Sequence, residues 1–283
     1  MIDPRYSIVM FAHNERKNIE RSVNSVLENS DHRLNQFYII ANGCTDETVP
    51  ILRQLAKTSN NKLVIVELQL GDKCNAWNEY VHSIAPPDDA HFFVDADVKF
   101  TQNAFPLLFD TLMSSPEANA VAGLPFSGRN IDYYRSMVID KSCLFGNCYG
   151  VKNRFISLAR EKNQRLPIGL SWIDSAITKF INSDIGNQFI TFPGRVTYKI
   201  DSGYYFKSLS PFKYSDIKLY INRIGRYQLG KFQEQFLDQM EFSEWPDDLR
   251  AINLKVKTDL LNGKLKAPFY MRYLVLKRLN RFI

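Results

Sequence analysis

The chain has 283 residues, 45% of them hydrophobic, a composition that supports a substantial core and excludes disorder. No apolar run approaches the length of a membrane-spanning helix, and Met1-Ile-Asp-Pro-Arg5 lacks the basic-then-apolar pattern of a signal peptide. The net charge of +6 is uneven: residues 249–283 hold nine Lys or Arg against Asp259 alone, while the rest holds 27 basic and 29 acidic residues. Cys44, Cys74, Cys143 and Cys148 show no metal-finger spacing and read as reduced thiols of a cytoplasmic protein.

Tyr6–Phe11 reads as a first strand, followed by the loop Ala12-His-Asn-Glu15. Ile19, Val23 and Val26 then recur at helical spacing. Gln36–Ala41 is a second strand, and Asn42-Gly-Cys-Thr-Asp46 is turn chemistry with Thr45 or Asp46 as a helix cap. Val49, Leu52 and Leu55 mark the next helix, and Leu63–Leu68 the third strand. Gly71-Asp-Lys-Cys-Asn75 turns into a helix over Ala76–Ile84. Phe92-Phe-Val94 is a short buried strand that runs into Asp95-Ala-Asp97. Strand–helix alternation with short loops predicts a mostly parallel sheet with helices on both faces.

In such a sheet the loops after the strands open on one crevice. That brings Asn14 and Glu15, Asn42 and Asp46, Asp72 and Lys73, and Asp95 and Asp97 toward each other. Two carboxylates one residue apart repel, and a hard cation such as Mg²⁺ or Mn²⁺ relieves them. Read alone, an Asp-x-Asp is equally a solvated turn. No Gly-x-Gly-x-x-Gly opens the first helix and no Gly-x4-Gly-Lys-Ser/Thr occurs, which disfavours a dinucleotide cofactor and a P-loop.

These four segments, in this order, resemble family 2 glycosyltransferases of the GT-A fold. Ala12-His-Asn-Glu15 is similar to that family's base-holding loop, and Ala41-Asn-Gly-Cys-Thr-Asp46 to its Asp-Asp-Gly-Ser-x-Asp segment, with Ala41 and Asn42 replacing the two leading acids. Gly71-Asp-Lys73 to Asn78 resembles the stretch beside the ribose and diphosphate, and Asp95-Ala-Asp97 the Asp-x-Asp signature. The resemblance implies an inverting transfer from a nucleotide-diphosphate sugar to a sugar, glycan or lipid-linked hydroxyl. It places His13, Asn14, Glu15, Asn42, Asp46, Lys73 and Asp95 at the donor, and a Mn²⁺ or Mg²⁺ on Asp97 with Asp95 close by.

Further on, Ala104–Met113 reads as a helix, Ala120–Leu124 as a strand, and Cys143–Gly150 as an apolar, glycine-rich stretch that resembles the family's acceptor-side strand, with Lys152 after it. In Pro167-Ile-Gly-Leu-Ser-Trp-Ile-Asp174, Ser171 or Asp174 suits a helix cap. The resemblance instead makes Asp174 the general base, and Trp172 offers a ring to an acceptor sugar. Arg223-Ile-Gly-Arg226-Tyr227 resembles the Gln/Arg-x-x-Arg-Trp motif, and arginines three apart share a helix face suited to a diphosphate.

In the tail, Phe269, Tyr270, Tyr273, Leu274, Leu276 and Phe282 make one side of a helix flanked by Arg272, Lys277 and Arg281. Such a helix either packs on the domain or lies on an anionic membrane at the inner face. No nucleic-acid-binding motif accompanies the charge, so nucleic acid is not an expected partner. The expected division is a GT-A domain over 1–205, with a nucleotide-sugar half over 1–100 and an acceptor half over 101–205, and a helical extension over 206–283. A silent nucleotide-sugar or carbohydrate-binding module and a sugar nucleotidyltransferase are the other function classes; the latter needs a glycine-rich, basic first loop that residues 12–15 lack.

Overall fold

The computed structural model describes residues 3–59 and 62–280, the side chain of Ser215 excepted. Met1, Ile2, Arg281 and Phe282 therefore lie outside the described residues. The N-terminal part runs β1 (Tyr6–Ala12), α1 (Ile19–Glu28), β2 (Leu34–Asn42), α2 (Thr48–Thr58), β3 (Leu63–Leu68), α3 (Lys73–Glu79) and β4 (Ala90–Asp95). The chain continues with β5 (Lys99–Phe100), α4 (Ala104–Met113), β6 (Ala120–Pro125), α5 (Ile131–Lys141), β7 (Cys148–Lys152), α6 (Asn153–Glu161), α7 (Ile173–Asn182) and β8 (Val196–Tyr205). Three helices follow: α8 (Tyr214–Leu237), α9 (Arg250–Leu261) and α10 (Phe269–Leu279).

Among the described residues the strands form one sheet in the order β3-β2-β1-β4-β7-β6-β8-β5. β1 pairs in parallel with both β2 and β4, whereas β7 runs antiparallel between β4 and β6. Ile8 stands opposite Phe92, and Val9 opposite Phe93. Alternation along the strands then splits the core by face. Ile8, Met10, Phe92 and Val94 pack under α1 and α4, while Val9, Phe11 and Phe93 pack on Trp77 and Tyr80 from the α3 side. All seven β1 residues are buried, the continuous apolar run of a strand covered on both faces. Asp95 follows Phe93 by two residues, so β4 delivers its carboxylate on the α3 face.

α3 begins three residues earlier than the apolar pattern indicates, because Asp72 caps it. It widens into a π turn over Tyr80–Ile84. The expected cap of α2 is only partly realised. Asp46 accepts the Thr48 N–H at 3.0 Å, but the residue at the cap position is Glu47. Neither Ser171 nor Asp174 caps α7; Asp174 is in its first turn, and Trp172 occupies the cap position without a side-chain bond. The helix expected around Arg223 and Arg226 is the 24-residue α8.

The tail differs most from its sequence pattern. α9 buries Ile252, Val256 and Leu260, and α10 buries Val275 and Leu279. Phe269, Tyr270 and Tyr273 of the expected apolar side are exposed. The reason is the seat on α8: Leu274 lies against Gly225, where an added methyl would come within 3.2 Å of it, and this turns Val275 and Leu279 inward. No helix among the described residues is long and apolar enough to cross a membrane.

Candidate active site

Lys73 is placed by the cap beneath it. One oxygen of Asp72 accepts the N–H groups of Cys74 and Asn75 at 2.8 and 3.1 Å. The other accepts the N–H of Gly169 at 2.9 Å, five residues before Asp174. Asp72 therefore ties the start of α3 to the loop that leads into α7, and is a brace rather than a ligand. From there the Lys73 ammonium donates to Asp95 Oδ1 and lies 5.8 Å from the centre of the Phe11 ring. Asp174 lies close by, and its charge acts on Lys73. Gly146, in the loop before β7, separates the two: a methyl built there would lie 2.8 Å from both Lys73 Nζ and Asp174 Oδ1.

The electrostatics follow from this packing. Burial works to lower the affinity of Lys73 for its proton, but the charges of Asp95 and Asp174 outweigh it and hold the ammonium above its ordinary range. Burial lifts the Asp174 carboxyl above the usual carboxylate range, against the pull of Lys73, with Asp95 adding to the lift. The Gly146 backbone N–H and Arg226 pull it down. Asp97 is raised by burial and then by Asp95, while Lys73 and Arg223 oppose. Glu15 is raised by burial, opposed by its bond to Asn18, and raised further by Asp97, Asp95 and Asp46. One crevice thus gathers Glu15, Lys73, Asp95, Asp97, Asp174, Arg223 and Arg226.

The loops after β1, β2 and β3 brace each other. His13 Nδ1 lies 2.7 Å from the Asn42 carbonyl, and the buried Asn42 side chain accepts the Asp72 N–H at 3.1 Å. Asn14, in the left-handed region, accepts the Thr45 N–H at 2.8 Å. Asp46 is used by Thr48 and the Arg16 N–H. Gly43, also left-handed, leaves room for Gly71; a methyl there would meet its Cα at 2.6 Å. His13, Asn14, Asn42 and Asp46 hold these loops together, and the Glu15 carboxylate accepts the Asn18 side-chain amide at 2.8 Å.

Arg223 and Arg226 stand exposed on α8 and form no salt bridge among the described residues. Trp172 lies flat on α8 at Gly230, where a methyl would be 2.5 Å from its ring, so it packs the α7–α8 crossing. Lys152 is not part of the site. It pairs with Ala90 at the far end of β4, and its ammonium donates to the Ser115 and Pro116 carbonyls at 2.6 and 3.4 Å. The antiparallel course of β7 carries it away from Asp95, a reversal that sequence alone does not display.

Sequence reading missed Gly146, visible only as one glycine in an apolar stretch. It also missed Arg21, whose guanidinium holds the Asp97 carbonyl at 3.2 Å. A cavity of about 180 Å³ opens beside Asp97 between Arg21, Lys99, Tyr205, Phe206 and Lys207. Among the described residues no three His, Cys, Asp or Glu side chains gather as a metal-binding group. The oxygens of Asp97 and Asp95 nonetheless fit a hard cation that completes its shell with phosphate oxygens, and the strained charge on Asp97 is what such a cation relieves.

A family model described as Glycosyl transferase family 2 matches residues 7–169. The chain belongs to that family. The matched span of this family 2 glycosyltransferase includes Lys73, Asp95, Asp97 and Gly146 and ends before Asp174, Arg223 and Arg226. No curated protein matches it in sequence. In fold it is similar to the mannosyltransferase PcManGT from Pyrobaculum calidifontis, solved with GDP-Man and Mn²⁺, at 14% identity and a TM-score of 0.62 over 98% of this chain and 80% of that one. S. aureus TarS 1-349 with UDP is similar at 14% identity and a TM-score of 0.56, over 99% and 83% of the two chains. Glucosyl-3-phosphoglycerate synthase from Mycobacterium tuberculosis, solved with Mn²⁺, UDP and glucosyl-3-phosphoglycerate, follows at 15% identity and a TM-score of 0.51, over 81% and 80%. At these identities the likeness is one of GT-A fold.

Proposed function

We propose that the chain moves a sugar from a nucleotide-diphosphate sugar to a hydroxyl acceptor in one inverting displacement. The observation that carries this reading is the position of Lys73, whose ammonium donates to Asp95 and is close enough to Asp174 for their charges to act on each other. A donor diphosphate at Asp95 and an acceptor hydroxyl at Asp174 then meet across a single side chain. The fold relatives support the donor class: PcManGT was solved with GDP-Man and TarS with UDP.

His13 and Glu15 border the nucleotide end, on a rim that Asn14, Asn42 and Asp46 keep in shape. Asp97 and Asp95 would hold a Mn²⁺ or Mg²⁺, which supplies positive charge to the diphosphate. Lys73, Arg223 and Arg226 donate to the same oxygens, and a forked guanidinium suits them. Asp174 takes the proton of the acceptor hydroxyl. Its raised affinity for protons makes it a stronger base than an exposed carboxylate. The hydroxyl oxygen bonds to the anomeric carbon from the face opposite the diphosphate, whose bond to that carbon breaks. The product is a glycan, polysaccharide or glycolipid unit.

The test combines thermal shift with GDP or UDP, in Mn²⁺ or chelator, with turnover followed by nucleoside-diphosphate release. Mn²⁺-dependent stabilisation by a nucleoside diphosphate is expected. Asp174→Asn keeps that stabilisation and loses about 10²–10⁴-fold in turnover. Full turnover in Asp174→Asn removes it as the base. Equal stabilisation in chelator removes the cation.

A further inference from the structure

We infer that the N-terminal halves of α8 and α10 form a surface that docks on an anionic phospholipid bilayer beside the site mouth. α8 buries Leu229, Phe232 and Leu237 in its second half. Among the described side chains none from Tyr214 to Ile224 is buried. α10 repeats the pattern, with Val275 and Leu279 fully covered and none of Phe269–Tyr273 buried. The two helices meet at Gly225 and Leu274, so the open halves belong to one helix pair.

What they expose is largely aromatic. Phe212, two residues before α8, is 94% exposed, Tyr214 83%, Tyr220 59%, Phe269 87%, Tyr270 54% and Tyr273 58%. Single exposed apolar residues are ordinary, but this many large rings on one helix pair mark an interaction surface. The charge decides the partner. The open halves and the segments leading into them, residues 212–224 and 264–273, carry six Lys or Arg against one acid, Asp216. Rings among basic side chains match the headgroup layer of an anionic membrane, where aromatic rings sit with one end apolar and the other wet. α9 contributes little, because its apolar face is packed inside, so the surface is narrower than residues 249–283.

α8 also holds Arg223 and Arg226, whose charges act on Asp97 and Asp174. The helix that meets the bilayer therefore borders the reaction. A hydroxyl acceptor anchored in lipid is the substrate class this arrangement serves. That clause rests on the sugar-transfer reading; the docking surface does not.

The test sediments the full chain with vesicles of phosphatidylcholine, alone or mixed with phosphatidylglycerol. The protein should follow the mixed vesicles only, and high salt should release it. Lys213→Ser with Lys218→Ser should lower partitioning about 25-fold, roughly fivefold per basic residue. Phe212→Ser with Phe269→Ser should also lower it severalfold, with melting temperature and nucleoside-diphosphate binding unchanged. Three results overturn the inference: no binding to mixed vesicles, binding that ignores the phenylalanine pair, or tighter binding to duplex DNA than to mixed vesicles. Each of these leaves sugar transfer standing. Absence of any nucleoside-diphosphate binding by the parent chain would remove sugar transfer and leave the surface.

Discussion

Gly146→Ala isolates the geometry between donor and acceptor sides. The glycine is not in the left-handed region, so alanine fits its backbone. Where the backbone tolerates the change, alanine adds about 0.4–1 kcal/mol of stability through the unfolded chain. The methyl, however, would stand 2.8 Å from both Lys73 Nζ and Asp174 Oδ1, whereas ordinary contact begins at 3.4 Å. At least one of the two groups must retreat by roughly half an ångström or more. A 1 Å misplacement costs on the order of 10²-fold in rate, so turnover should fall about 10–100-fold. Stability and activity should therefore move in opposite directions. The assay pairs a urea unfolding midpoint with kcat from nucleoside-diphosphate release. A variant that turns over at the parent rate would show that neither Lys73 nor Asp174 needs its present position. A variant with both lower stability and lower rate would show that the methyl disrupts the loop itself.

Asp97→Asn should raise the melting temperature of the ligand-free protein at neutral pH. The folded carboxyl binds its proton more tightly than the unfolded one, so its ionisation costs stability from the ordinary carboxylate range upward. The gain should vanish below that range, and Mn²⁺-dependent stabilisation by nucleoside diphosphate should be lost; a pH series of melts with and without ligand checks both. Arg226→Ala removes a charge that lowers the proton affinity of Asp174, so the acid limb of the kcat profile should shift to higher pH. An unmoved limb would detach Arg226 from Asp174. Asp72→Ala leaves three amides without their acceptor and should cost about 1–2 kcal/mol in urea unfolding, with nucleotide affinity falling because α3 frays at Lys73. An unchanged midpoint would show that other contacts hold that turn.

Alternation of apolar strands and helices was enough to place β1 to β4 and the loops at their ends, because parallel sheets bury strands on both faces and leave unbroken apolar runs. The place of Asp95 and Asp97 was legible for the same reason: they directly follow such a run, at the end of β4. Helices α5 and α6 and strand β8 went unread. α5 buries only Val138, and β8 is half exposed, so neither shows a clean period. Lys152 was misplaced because strand direction is set by pairing, not by composition. Trp172, Asn14 and Asn42 also make contacts within the chain that their local sequence does not display.

The order of residues by itself determined which strands are central and which loops carry charge, since burial period and turn chemistry are local properties. Only the tertiary structure decided that Lys73 faces both Asp95 and Asp174, across the bare backbone of Gly146. That choice depends on a cap at Asp72 bonding to Gly169, 97 residues away. No local pattern encodes contacts between segments so far apart, because they arise from how the faces of the sheet and helices are covered.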